Sequence, residues 1–186
     1  QKISCGNGGI PLNGILDNND FFGRSICYLG DMNQDGIQDI SVGSPTDDDG
    51  GTDLGAIYIL FLNRNGTIKS FQKISSTQGN FNGILDDDDR FGLSLSFVGD
   101  LDGDTIPDVV VGSTLDDDGG SNRGAIWILY LNSNGTVKSY FKISSTQGNF
   151  SGILDDNDYF GYSISSIGDL NGDGGFPDLV VGAIYD

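Results

Sequence analysis

Asp31-Met-Asn-Gln-Asp-Gly-Ile-Gln-Asp39, Asp100-Leu-Asp-Gly-Asp-Thr-Ile-Pro-Asp108 and Asp169-Leu-Asn-Gly-Asp-Gly-Gly-Phe-Pro-Asp178 are three versions of one loop, and their first residues are spaced by 69 and again by 69. Oxygen-bearing side chains fall at positions 1, 3, 5 and 9, with a backbone carbonyl at position 7. Calcium takes roughly six to eight such oxygens and tolerates mixed carboxylate, amide and carbonyl donors. The spacing therefore predicts about three Ca2+ sites, one per loop. The first uses Asp31, Asn33, Asp35 and Asp39 with the Ile37 carbonyl; the second uses Asp100, Asp102, Asp104 and Asp108 with the Ile106 carbonyl. The third uses Asp169, Asn171 and Asp173, and one extra residue moves its last aspartate to Asp178 and leaves Gly175 or Phe176 as carbonyl donor. None has the acidic residue at position 12 that an EF-hand needs. An Asp/Asn/Gly turn without metal is the simpler reading of any one loop, but recurrence at a fixed spacing weighs against it.

Outward from the loops, Gly23–Phe91 and Gly92–Phe160 align with identity at about three positions in five. In the second unit, β-branched and aromatic runs bounded by Gly, Asn, Asp or Ser predict strands over 91–99, 108–112, 124–131 and 137–144. Asn65-Gly66 and Asn134-Gly135 link the last two strands of each unit and suit a type I′ hairpin turn. No segment carries a sustained 3.6-residue apolar period, so the chain reads as all-β. Four antiparallel strands per unit, repeated, is the pattern of a propeller blade.

Phe22-Gly23-x-Ser25, Gly30-Asp31-x-Asn33-x-Asp35-Gly36-x-x-Asp39 and Val42-Gly43-Ser44-Pro45 together resemble the FG-GAP repeat, with echoes at Phe91-Gly92, Val111-Gly112-Ser113, Phe160-Gly161 and Val181-Gly182-Ala183. That repeat builds the β-propeller head of integrin α chains and occurs in other cell-surface and secreted proteins. The resemblance implies tandem blades as an incomplete array: 1–22 as the end of a preceding unit, 23–91 and 92–160 as full units, and 161–186 as a partial third. A closed propeller of this kind is expected to have about seven blades. The array is therefore expected either to belong to a longer one or to complete its sheets with further copies, since open edges invite strand addition.

The formal net charge is −18, all acid is aspartate, and histidine is absent. Such a surface repels nucleic acid and anionic membrane, and no run is apolar enough for a transmembrane helix. Gln1 opens directly into the repeat, so no signal peptide is read and the chain is taken as a mature or trimmed piece. Without histidine, Ser-His-Asp and Cys-His chemistry is excluded, and carboxylates repeated identically in every unit do not make one asymmetric active site. No enzyme is expected. A second acidic set, Asp86–Asp89 with counterparts Asp17/Asp20 and Asp155/Asp156/Asp158, and Asp47–Asp49 with Asp116–Asp118, lies at the end opposite the loops. It reads either as a solvated rim or as a second ion site. The third-strand aromatics Tyr58, Phe61, Trp127 and Tyr130 read as core and inter-blade packing.

Asn65, Asn134 and Asn149 stand in N-glycosylation sequons. Cys5 and Cys27 are the only cysteines, and in an oxidising compartment a disulfide between them would contribute about 3 kcal/mol. Together these features predict an extracellular, non-enzymatic, calcium-binding scaffold whose partners are further copies of the repeat, or a protein or glycan ligand. Two alternatives stand beside it: a ligand-recognition head like that of an integrin α chain, and an accessory domain of a surface hydrolase. The head reading needs loops that differ between blades, and here the loops opposite the acidic ones read as nearly the same.

Overall fold

The computed structural model describes Ile3 and residues 15–186. The described residues form ten strands and no helix: β1 Ile26–Gly30, β2 Asp39–Ser44, β3 Ala56–Leu62, β4 Ile68–Ile74, β5 Phe91–Gly99, β6 Asp108–Ser113, β7 Ala125–Leu131, β8 Val137–Ile143, β9 Ser163–Gly168 and β10 Asp178–Gly182. They pair into two antiparallel four-stranded meanders, β1-β2-β3-β4 and β5-β6-β7-β8, and an antiparallel pair, β9-β10. The strands expected in the second unit are all present, within a residue at each end, and the blade architecture is the one expected.

Strands that read as continuous apolar runs are buried on both faces. Side chains alternate across a strand, so Ile57, Ile59 and Phe61 of β3 meet Val109 and Val111 of β6 and Trp127 and Leu129 of β7 in one cluster between the two full sheets. The intervening residues serve the opposite faces. Val110 and Ile126 pack towards Phe160, Ile164 and Val181, while Ala56, Tyr58 and Leu60 pack with Phe22 and Ile3. Tyr58, Phe61 and Trp127 are thus core residues, as expected, and Tyr130 is partly buried on the other face of β7 with Val110 and Ile126.

Two local devices join the sheets. Each Phe-Gly pair is the centre of a turn in which Arg24 donates to the Phe21 carbonyl (3.0 Å), Leu93 to that of Arg90 (3.1 Å) and Tyr162 to that of Tyr159 (3.1 Å). The glycine takes φ near +90° at Gly23, Gly92 and Gly161, the second central position of a type II turn. The second device is a main-chain seam. Ser25 Oγ donates to the Gly92 carbonyl (2.7 Å) and Ser94 Oγ to that of Gly161 (2.6 Å). A Cβ on Gly43 or Gly112 would collide with those same carbonyls.

The hairpin expectation needs correcting. Gly66 donates to Asn63 O and Asn63 to Thr67 O, each at 2.8 Å, and Gly135 and Asn132 repeat the arrangement. Only the glycines have positive φ, not Asn65 or Asn134. A type I′ turn requires it at both central residues; this is a three-residue loop closed by a glycine bulge. A separate register shift lies one step further along, between Phe61 and Leu62 and between Tyr130 and Leu131, where Lys69 and Lys138 are the extra residues of the fourth strand.

Candidate metal centre

The three acidic loops follow β1, β5 and β9, each after a glycine of φ +75° to +78° (Gly30, Gly99, Gly168) that turns the chain out of the strand. They share one hydrogen-bond scheme. The position-1 carboxylate gathers loop amides: Asp31 accepts from Asp35 and Gly36, Asp100 from Gly103, Asp104 and Thr105, and Asp169 from Gly172, Asp173 and Gly174, at 2.7–3.2 Å. Position 3 accepts from position 5 at Asn33, Asp102 and Asn171. Position 5 accepts from two residues on, so Asp35 takes the N–H of Ile37, Asp104 that of Ile106 and Asp173 that of Gly175.

Position 9 does something more. Asp39 and Asp108, with no exposed surface, each accept from position 2 of their own loop (Met32, 3.2 Å; Leu101, 2.8 Å) and from the end of the third strand (Leu62, 3.0 Å; Leu131, 3.0 Å). Burial pushes the Asp108 carboxyl up to about 6 even though these two N–H groups hold it down. In the third loop Asp178 accepts from Leu170 and Asn171.

Carboxylate oxygens of Asp100, Asp102 and Asp108 lie within 4.8 Å of one another. Among the described residues this is the one carboxylate group drawn that close; the first and third loops, with Asn33 and Asn171 at position 3, have fewer carboxylates to bring together. Lysines of the fourth strand reach two loops: Lys69 contacts Asp35 at 2.7 Å, and Lys138 contacts Asp102 and Asp104, both at 2.7 Å. The donors are all hard oxygens, which suits calcium.

At the other end of the sheets the second acidic set divides: Asp17, Asp48, Asp86, Asp87, Asp88, Asp117, Asp155 and Asp156 are exposed as a solvated rim, while Asp47, Asp49, Asp116 and Asp118 gather around a cation. That cation is a lysine. Lys73 on β4, 4% exposed, holds Asp47 at 2.8 Å and Asp49 at 2.7 Å. Lys142 on β8 holds Asp116 at 2.6 Å and Asp118 at 2.9 Å. Ser144 and Gln147 complete Asp118, both at 2.8 Å. In the first sheet Tyr58 donates to Asp47. In the second, Trp127 stands at that position, its Nε1–H has no partner, and the Lys142 ammonium lies 4.7 Å from its ring centroid.

Asp89 lies against this second cluster. Burial, and then the charge of Asp116, push its carboxyl up to about 7. Because the folded state holds that proton more tightly than the unfolded chain, stability falls as pH rises from about 4 to about 7. The penalty at neutral pH is roughly 4 kcal/mol from a three-unit shift. Asp89→Asn keeps an oxygen for the Asp86 N–H (2.9 Å) and removes the charge. Thermal melts should show the variant unfolding about 8–16 °C above the parent at pH 7.5 and nearly level with it near pH 3.5. An equal gap at both values would rule the mechanism out.

Asn65 and Asn134 are exposed at the hairpin tips. The side-chain oxygen of each accepts from the backbone N–H and the hydroxyl of the sequon threonine at 3.1 and 2.7 Å. Asn149 is also exposed. Cys27 lies on β1, and burial pushes its thiol up to about 11; Cys5 lies outside the described residues, as does most of the segment 1–22 expected to end a preceding unit.

The FG-GAP repeat model matches residues 22–60 and 91–129. The chain is 31% identical over 165 residues to integrin alpha-6 of Gallus gallus, covering 89% of this chain and 14% of that protein. It is 32% identical to integrin alpha-7 of Homo sapiens over the same length, 89% of this chain and 12% of the relative. To integrin alpha-2 of Mus musculus it is 42% identical over 94 residues, 50% of this chain and 7% of the relative. The chain thus spans about a seventh, or less, of the length of these relatives. Each repeat match opens at a Phe-Gly turn and runs into the third strand of a full sheet, over the acidic loop, so this chain carries FG-GAP repeats and is related to the repeat region of integrin α chains.

Proposed function

We propose that the chain is a non-enzymatic, calcium-binding FG-GAP segment of an extracellular adhesive or structural protein. The observation that carries this reading is the single hydrogen-bond scheme shared by three loops, which in the second loop folds three carboxylates to within 4.8 Å. Like charges so close repel unless a cation neutralises them, and a bound Ca2+ would supply that charge. Asp100, Asp102, Asp104 and Asp108 with the Ile106 carbonyl would hold it in the second loop. Asp31, Asn33, Asp35, Ile37 and Asp39 would do so in the first, and Asp169, Asn171, Asp173 and Asp178 in the third. The extracellular placement rests on the relatives being integrin α chains. Glycans on Asn65, Asn134 and Asn149 and a Cys5–Cys27 disulfide belong to the same proposal. The recurrence of one unit, identical at about three positions in five between successive copies, supports further repeats as the nearest partners, in a longer surface or fibrous array.

Thermal unfolding with millimolar calcium and then with excess chelator tests the metal assignment. Each site should add about 2.7 kcal/mol at a hundredfold excess over its Kd, so chelation should lower the midpoint by many degrees. An unchanged midpoint would reduce the loops to ordinary Asp/Asn/Gly turns.

A further inference from the structure

At the opposite end of the first strands from the acidic loops, a cavity of about 470 Å³ opens among the three Phe-Gly turns. Each turn contributes its two outer residues: Phe21 and Arg24, Arg90 and Leu93, Tyr159 and Tyr162. These positions read Phe, Arg, Tyr and Arg, Leu, Tyr across the three units, all different, in a repeat otherwise identical at about three positions in five. Loop divergence, which the sequence reading found missing, is therefore concentrated here. Phe21, Arg90 and Tyr159 also hold φ between +52° and +59°, a region bulky residues rarely adopt and one that clusters at functional sites.

The charge of the cavity runs against that of the protein. Lys69, Lys73, Arg123, Lys138 and Lys142 all hold carboxylates. Arg24, Arg64 and Arg90 hold none among the described residues, and two of these three line this one cavity. Arg90 Nε is buried without a hydrogen-bond partner. Asp53 also lines the wall, so two guanidinium groups face one carboxylate in a chain of net charge −18. Around them Phe21, 64% exposed, Tyr159 and Tyr162 offer aromatic surface. We propose that this cavity binds an acidic side chain of a partner protein, the carboxylate on Arg24 and Arg90 and a neighbouring apolar or aromatic residue against Phe21, Tyr159 and Tyr162. Planar guanidinium groups suit a carboxylate through paired N–H donors, and the volume admits one or two side chains.

Capped peptides Gly-Phe-Asp-Gly, Gly-Phe-Asn-Gly and Gly-Phe-Lys-Gly, immobilised on a sensor at low salt, test this against the intact protein. The aspartate peptide should bind roughly ten-fold more tightly than the asparagine one, and the lysine peptide should bind least. Arg24→Gln, at an exposed position, should weaken aspartate binding by about ten-fold with an unchanged melting temperature, and Arg90→Gln should do the same. Loss of saturable aspartate binding at millimolar peptide, or equal binding of the lysine peptide, overturns the proposal. Calcium dependence of the melt is a separate readout, so the loop assignment can fail without this one failing.

Discussion

Lys142→Met is expected to destabilise the protein by about 3–5 kcal/mol, because it leaves buried carboxylates without their cation. Asp116 is 2% exposed and Asp89 likewise, and neither can turn to water without opening the sheet end. Losing the ammonium also removes its contact with the Trp127 ring, a cation–π attraction of about 1–2 kcal/mol when desolvated. Unfolding by heat should begin about 10 °C lower. Adding Asp116→Leu to the variant should recover much of the loss, since an apolar pair often replaces a buried ion pair at little cost. Lys73→Met should lose less, because Tyr58 still donates to Asp47. If Lys142→Met melts within a degree or two of the parent, the ion cluster contributes little and the carboxylates titrate instead.

The second large effect is at Asp108. Alanine there strands the N–H groups of Leu101 and Leu131, both buried, at about 1–3 kcal/mol each. That loss should appear in urea unfolding even with excess chelator. Asp102→Ala, which removes an outer side chain of the same loop, should instead abolish only the calcium-dependent part. The two variants separate a carboxylate that clamps loop to third strand from one that would serve only the ion. Equal behaviour of both in chelator would deny Asp108 its clamp.

Strands were legible because each is a run of β-branched and aromatic residues closed by turn formers, and the repeat showed each run twice. The loop residues were legible for the same reason: position 1, 3, 5 and 9 oxygens sit within nine residues and need no tertiary contact to be recognised. What sequence did not give depends on register. Lys142 meets Asp116 and Asp118 from more than twenty residues away, across β7, and a lone lysine among polar neighbours in Lys-Ser-Tyr-Phe-Lys carries no mark of burial. Its one visible signal was the matching lysine at 73. The Asn-Gly hairpins were misread because type I′ and bulged type I loops both accept Asn-Gly, and only the positive φ of glycine alone separates them. The cavity escaped because its lining is spread over three turns 69 residues apart, and it is difference between copies, not likeness, that marks it.

The seam between sheets is made of a glycine, a serine and a carbonyl, with no large side chain in it. Such a seam sets how closely two neighbours approach, while the apolar cluster between the sheets must also fit. Because every unit carries the same glycine, serine and carbonyl, a tandem copy would bring this seam together from the moment of duplication, and the apolar faces would then adjust to each other. Growth by copying comes first on such a scaffold, and divergence follows in core positions such as Tyr58 and Trp127 as well as in the turn residues that face outward.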